Sequence, residues 1–207
     1  MPDLRPFRAL RFATAAADLS EVLAPPYDII SPAERQALLA RDPHNVVRIE
    51  LPADLGEARP VDYEAAAATA AEWREAGILT QDGEPTVTVH QMRWLDGEGR
   101  ACSATGLLCR LGLEEYGPRA GVLPHERTHG GPKADRYALL EATQLNTSPL
   151  VFLAGSEPAA TSAALLALTE REPDASGTTA DGVSHRLWVS DAAAAAPVLE
   201  LMSAAPL

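Results

Sequence analysis

The residues best suited to chemistry fall in one run, PHERTHGGPKADR, at positions 124–136. Within it His125, Glu126 and His129 form a literal H-E-x-x-H. In zinc hydrolases that spacing sets two imidazoles one helical turn apart, so that both reach one metal while the glutamate polarises its water. The chemistry needs a helix through 125–129. Pro124 stands just before that stretch, and Gly130, Gly131 and Pro132 follow it. Five residues between such breakers make one turn at most, with no apolar face to dock it. The remaining histidines, His44, His90 and His185, are scattered and name no third ligand. Zinc hydrolysis is therefore the weakest of three readings, and no metal ligand set is assigned.

A second reading fits the same run better. Between Arg119 and Arg136 the chain gathers Arg119, His125, Arg127, His129, Lys133 and Arg136 against only Glu126 and Asp135. Lys133 is the single lysine of the chain. Adjacent glycines let backbone N–H groups converge on an anion, a proline follows at a helix start, and the helix end adds partial positive charge. Together these point to a phosphate or carboxylate site, although the P-loop string G-x-x-x-x-G-K-[ST] is absent. A local pair between Asp135 and Arg136 is the competing structural role for those two residues.

The elements that must position this loop can be read from periodicity. RPFRALRF (5–12) reads as a first strand. The Pro-Pro turn of APPYDII presents Tyr27 and Asp28, either as ligand contacts or as a packed tyrosine. Ser31, Pro32 and Glu34 then form a capping box for a helix over 32–41. Asn45 is expected to fix a turn through its side chain, and NVVRIEL (45–51) alternates like a strand. The run VDYEAAAATAAEWREAGIL (61–79) reads as an alanine-rich helix that Gly77 ends, with Tyr63, Ala67, Ala70 and Trp73 on one face. Residues 85–111 read as a β-hairpin around DGEG, and KADRYALLEATQL (133–145) as an amphipathic helix. SPLVFLAG reads as a short buried strand, 157–172 as a helix, PDASGTTADG as a flexible loop and VSHRLWVS as a strand. Pro197 is expected to kink or restart the last helix. Trp73, Trp94 and Trp188 are assigned to the core. Ser148 is no nucleophile, because the sequence places no base beside it. The class is α+β, a mixed sheet with a β-hairpin and flanking helices, in one domain over 1–207.

Composition narrows the functions. The chain has 207 residues, 46% of them hydrophobic, and a net charge of −12. Such an acidic balance opposes sequence-independent binding to DNA or RNA, which depends on clustered cations. No stretch approaches the roughly 18 apolar residues of a membrane span, and the N-terminus lacks a signal peptide, so no membrane is expected and the default compartment is the cytoplasm. Cys102 and Cys109 sit in what reads as one strand, on opposite faces and about 23 Å apart, which rules out a disulfide.

The runs PFRALRF, APPYDIISPAER, PHNVVRIELP, YEAAAATAAEWREAGIL, PHERT, PKADRYALLEATQLNTSPL and HRLW together resemble the bacterial and archaeal family known as domain of unknown function 1015. Its pattern P-H-E-x-T followed by P-K-x-D-R falls on Pro124, His125, Glu126, Thr128, Pro132, Lys133, Asp135 and Arg136. His129 lies outside it. Members are roughly twice this length and later carry D-G-H-H-R, which is similar to the phosphate-binding turn of the sulfiredoxin and partition-protein superfamily. The resemblance therefore covers the N-terminal half of a member, as in a truncated product or an abbreviated paralogue, and implies nucleotide-dependent phosphoryl chemistry.

The resulting expectation is a small-molecule phosphotransferase or part of one, with ADP or ATP and magnesium as cofactors and a small phosphorylated ligand or nucleotide as partner. Arg127, Lys133 and Arg136 would neutralise phosphate oxygens, with Thr128 and Asp135 completing the ligand-binding set. Glu126 would hold magnesium or act as base, and His125 would orient it. The alternative is a non-catalytic regulatory or interaction module that pairs with a partner or forms a homo-oligomer.

Overall fold

A computed structural model describes residues 1–14, 18–53, 61–115, 117, 120–123, 130–153 and 159–204. Short strands β1 (Leu4–Arg5) and β2 (Leu10–Phe12) lead into helix α1 (Leu19–Val22), a 3₁₀ turn (Tyr27–Ile29) and α2 (Pro32–Arg41). Then come α3 (Val47–Glu50), α4 (Tyr63–Glu75), β3 (Leu79–Gln81), β4 (Thr86–Leu95), β5 (Ala101–Leu108) and β6 (Arg110–Leu111). Helices α5 (Gly130–Thr143) and α6 (Ala159–Ala167), strands β7 (Ala175–Thr178) and β8 (Ser184–Asp191), and α7 (Ala192–Ser203) complete the chain. Helices and strands in these proportions make the α+β class expected.

The strands form a four-stranded sheet, β5-β4-β8-β7, and two small ribbons, β1-β6 and β2-β3. All of these pairings are antiparallel rather than mixed. The reason is connection geometry. The β4–β5 link is a tight hairpin in which Asp96 accepts from the amides of Glu98 and Arg100, and Gly99 takes φ +77°. One sheet face buries Val87, Val89 and Trp188 against Leu165 of α6 and Ala195, Val198 and Leu199 of α7. Helix α7 runs on through Pro197 rather than restarting there.

The opposite face holds a polar chain. His90 and His185 share a hydrogen bond of 3.0 Å between Nε2 and Nδ1. His185 Nε2 lies 3.5 Å from Thr179 Oγ1, which donates to Asp181 at 2.6 Å. Burial depresses both imidazole pKa values, with repulsion from His185 adding to the effect at His90.

The helical side of the molecule has two cores on either side of α3. Val47 packs with Ile30, Leu38 and Leu51, while Ile49 packs with Ala70, Trp73 and Leu79. This explains why NVVRIEL alternates like a strand yet folds as one helical turn: its apolar residues face two cores. Asn45, fully buried, starts that turn. Its Oδ1 accepts from the Val47 amide at 3.1 Å, and its Nδ2 donates to the carbonyls of Glu21 and Leu23 at 2.8 and 3.0 Å. The capping box of α2 and the Gly77 stop, at φ +72°, form as their residues dictate.

Other departures also have local causes. PDASGTTADG contains β7, drawn onto β8 by the Asp174 amide, which donates to the Leu187 carbonyl at 2.8 Å. Within it a Cβ at Gly177 would lie 3.1 Å from Leu19, so glycine admits α1 against the strand. SPLVFLAG is no buried strand over its described residues: Leu150, Val151 and Leu153 are about four-fifths exposed, and no described strand pairs with them. Trp94 leaves the core at the hairpin end, 37% exposed. Among the described residues no helix is long and apolar enough to cross a membrane.

Candidate functional site

Helix α5 begins three residues earlier than its amphipathic pattern suggests, at Gly130, because Pro132 in the first turn removes an N–H that would have no intrahelical partner. Lys133 is exposed on this turn, and no described residue pairs with it. A Cβ placed on Gly131 would meet nothing within 4 Å, so the backbone of the helix start is open on that side.

Three residues beyond Lys133, Arg136 turns inward and is heavily engaged. Its Nη1 donates to the Glu50 carbonyl at 2.9 Å and to Glu50 Oε1 at 3.1 Å. Nε and Nη2 both donate to Asp135 Oδ2, at 2.8 and 2.6 Å. The guanidinium also lies 3.9 Å above the centre of the Tyr27 ring, a cation–π contact. The second oxygen of Asp135 accepts from the Tyr63 hydroxyl at 2.7 Å. Burial, and then the hydrogen bond to Asp135, push the Tyr63 pKa up to about 12, so this phenol remains a donor.

Glu50 stands at the centre of the cluster with 5% of its surface exposed. Its Oε1 accepts from Arg136 and from the hydroxyl of Ser148, whereas its Oε2 is buried without a hydrogen-bond partner among the described residues. Two carboxylates therefore face one guanidinium, and one carboxylate oxygen is unused. Five segments meet here: the 3₁₀ turn, the end of α3, the start of α4, the first two turns of α5 and the chain after it.

Of the residues singled out in the sequence, Lys133, Asp135 and Arg136 lie together on α5, and Asp135 and Arg136 make the local pair anticipated for them. Tyr27 joins them, while Asp28 is exposed. His125, Glu126, Arg127, Thr128 and His129, like Arg119, lie outside the described residues. Glu50 and Tyr63 were missed as site residues. Glu50 was hidden in an apparent strand, where a charge reads as solvent-facing, and Tyr63 in an apparent core stripe. The sequence places no base beside Ser148, but the fold brings up the Glu50 carboxylate, 98 residues away, which accepts a hydrogen bond from its hydroxyl.

The pattern of one protein family of unknown function matches residues 4–207. The chain belongs to that family, DUF1015. The runs that carry the DUF1015 resemblance supply this cluster: Tyr27 comes from APPYDIISPAER, Glu50 from PHNVVRIELP, Tyr63 from the alanine-rich helix, and Asp135, Arg136 and Ser148 from PKADRYALLEATQLNTSPL. No curated protein and no solved structure matches the chain.

Proposed function

We propose that this DUF1015 chain binds a small phosphorylated ligand, a nucleotide in the leading case, at the N-terminal turn of α5, as part of a small-molecule phosphotransferase. The observation that carries the reading is the state of that turn. It opens a 14-residue helix, exposes the chain's one lysine and leaves the backbone at Gly131 uncovered. Unpaired N–H groups at a helix start, together with a cation, suit an anion. Arg136, engaged by Glu50 and Asp135, serves by fixing the helix and supporting the local potential. Direct contact with phosphate falls to Lys133, with Arg127 and Thr128 from the sequence just before it. Glu126 and His125 keep their proposed roles as base and orienting group, and ADP or ATP with magnesium remains the proposed cofactor.

The test is a thermal-shift titration with ADP, ATP, pyrophosphate and phosphate, each with Mg²⁺. A midpoint increase that Lys133→Ala removes supports the site. No increase with any of the four contradicts it.

One observation favours the alternative of an interaction module: the run Leu150, Val151 and Leu153 stands in solvent. Contiguous apolar exposure of this kind marks association surfaces. On that reading light scattering finds a dimer, and paired Leu150→Ser and Leu153→Ser substitutions return it to a monomer.

A further inference from the structure

We propose that Glu50 holds the divalent cation accompanying the phosphate ligand, with the Ser148 hydroxyl as a neighbouring oxygen donor. The proposal rests on the phosphate-binding reading above and names the residues that would carry its metal.

The argument begins with the orphaned oxygen. Glu50 is 95% buried, yet Oε2 has no hydrogen-bond partner among the described residues. A buried carboxylate oxygen without a donor loses its hydration and gains nothing in return, so such groups are rare unless a ligand, ion or water completes them. The rest of the site does not complete this one. Arg136 Nη1 and the Ser148 hydroxyl both point to Oε1, and Tyr63 is committed to Asp135. Neutralisation is also partial, because the one guanidinium is shared between Glu50 and Asp135.

The chemistry of the donors selects the cation. Carboxylate and hydroxyl oxygens suit a hard divalent ion, and magnesium is commonly held by only one or two protein carboxylates, with waters and substrate phosphates filling the other positions. That fits a chain in which no group of three or more His, Cys, Asp or Glu side chains converges as metal ligands among the described residues. A serine hydroxyl beside the ion plays the part it plays in other phosphate-binding sites.

Geometry links this oxygen to the phosphate turn. Lys133 and Arg136 are three residues, about 4.5 Å of helical rise, apart, so the carboxylate that Arg136 touches is tied to the same end of α5 as the phosphate turn. Ser148, whose hydroxyl meets the other oxygen of this carboxylate, is exposed on a segment without secondary structure that begins at Gln144, the one described non-glycine residue with positive φ, +56°. On binding, Ser148 turns its lone pair to the ion and releases its hydrogen bond to Oε1.

The deciding experiment measures ADP and pyrophosphate binding by calorimetry, in EDTA and in saturating Mn²⁺, with wild type, Glu50→Gln, Glu50→Asp and Ser148→Ala, all checked for folding by circular dichroism. Mn²⁺ is expected to tighten binding to wild type by about tenfold or more, and Glu50→Gln to abolish that gain, read as the ratio of each protein's affinities with and without Mn²⁺. Ser148→Ala should lose part of the gain. If Glu50→Gln does not fold, Glu50→Asp, one methylene shorter, should show a reduced gain. Equal Mn²⁺ enhancement in wild type and in whichever Glu50 variant folds would overturn the role of Glu50 and leave the phosphate reading intact. Failure of wild type to bind either ligand would overturn the phosphate reading itself.

Discussion

Arg136 sits with only 21% of its side chain exposed, between Glu50 and Asp135 and over Tyr27. Removing it leaves a carboxylate buried without its counter-ion, so Arg136→Ala should cost about 3 kcal/mol in a urea melt. Arg136→Lys should recover little, because an ammonium cannot supply the planar fork that reaches both carboxylates while stacking on Tyr27. Tyr63→Phe is a milder test of the same network. It deletes one hydrogen bond to a carboxylate and should cost about 2 kcal/mol. The chemistry-bearing residues of α5 were legible in the sequence because charge and glycine concentrate there. Glu50 was not, because nothing local distinguishes a carboxylate that faces solvent from one that meets an arginine 86 residues further on.

At the scale of elements, α3 shows why a periodicity can mislead. One turn wedged between two cores has apolar residues at alternate positions, the signature of a strand. Its anchor, Asn45, was legible as a turn former, and Asn45→Ala should lower stability by about 3 kcal/mol through the lost bonds to Glu21, Leu23 and Val47. The paired strands β4 and β8 carry a pH dependence. Folded His90 and His185 have pKa values below the ordinary histidine value, so the unfolded chain binds protons more readily as pH falls. Their contribution to stability is fully present above about pH 6.5 and is lost as pH falls from there through the lowered folded values. A melting-temperature series from neutral to mildly acidic pH should show this decline, and a His90→Gln, His185→Gln double variant should flatten it.

Across the whole molecule, the α+β class and most helices were legible because caps, glycine stops and long periodic segments act locally. What was not legible depended on distant partners: β7 needs the edge of β8, and Leu150–Leu153 lacks any described strand to join. The same division holds for function. The DUF1015 family fixes what the chain is related to, and the open first turn of α5 beside the Glu50 cluster supplies the chemistry proposed for it. The most direct measurement is the thermal shift of wild type and Lys133→Ala with ADP and Mg²⁺. A ligand present at 100 times its dissociation constant stabilises by about 2.7 kcal/mol, enough to move the midpoint by several degrees. The account predicts that rise in wild type and its loss in Lys133→Ala; an unmoved wild-type midpoint with ADP, ATP, pyrophosphate and phosphate alike, or a rise that Lys133→Ala leaves intact, would contradict it.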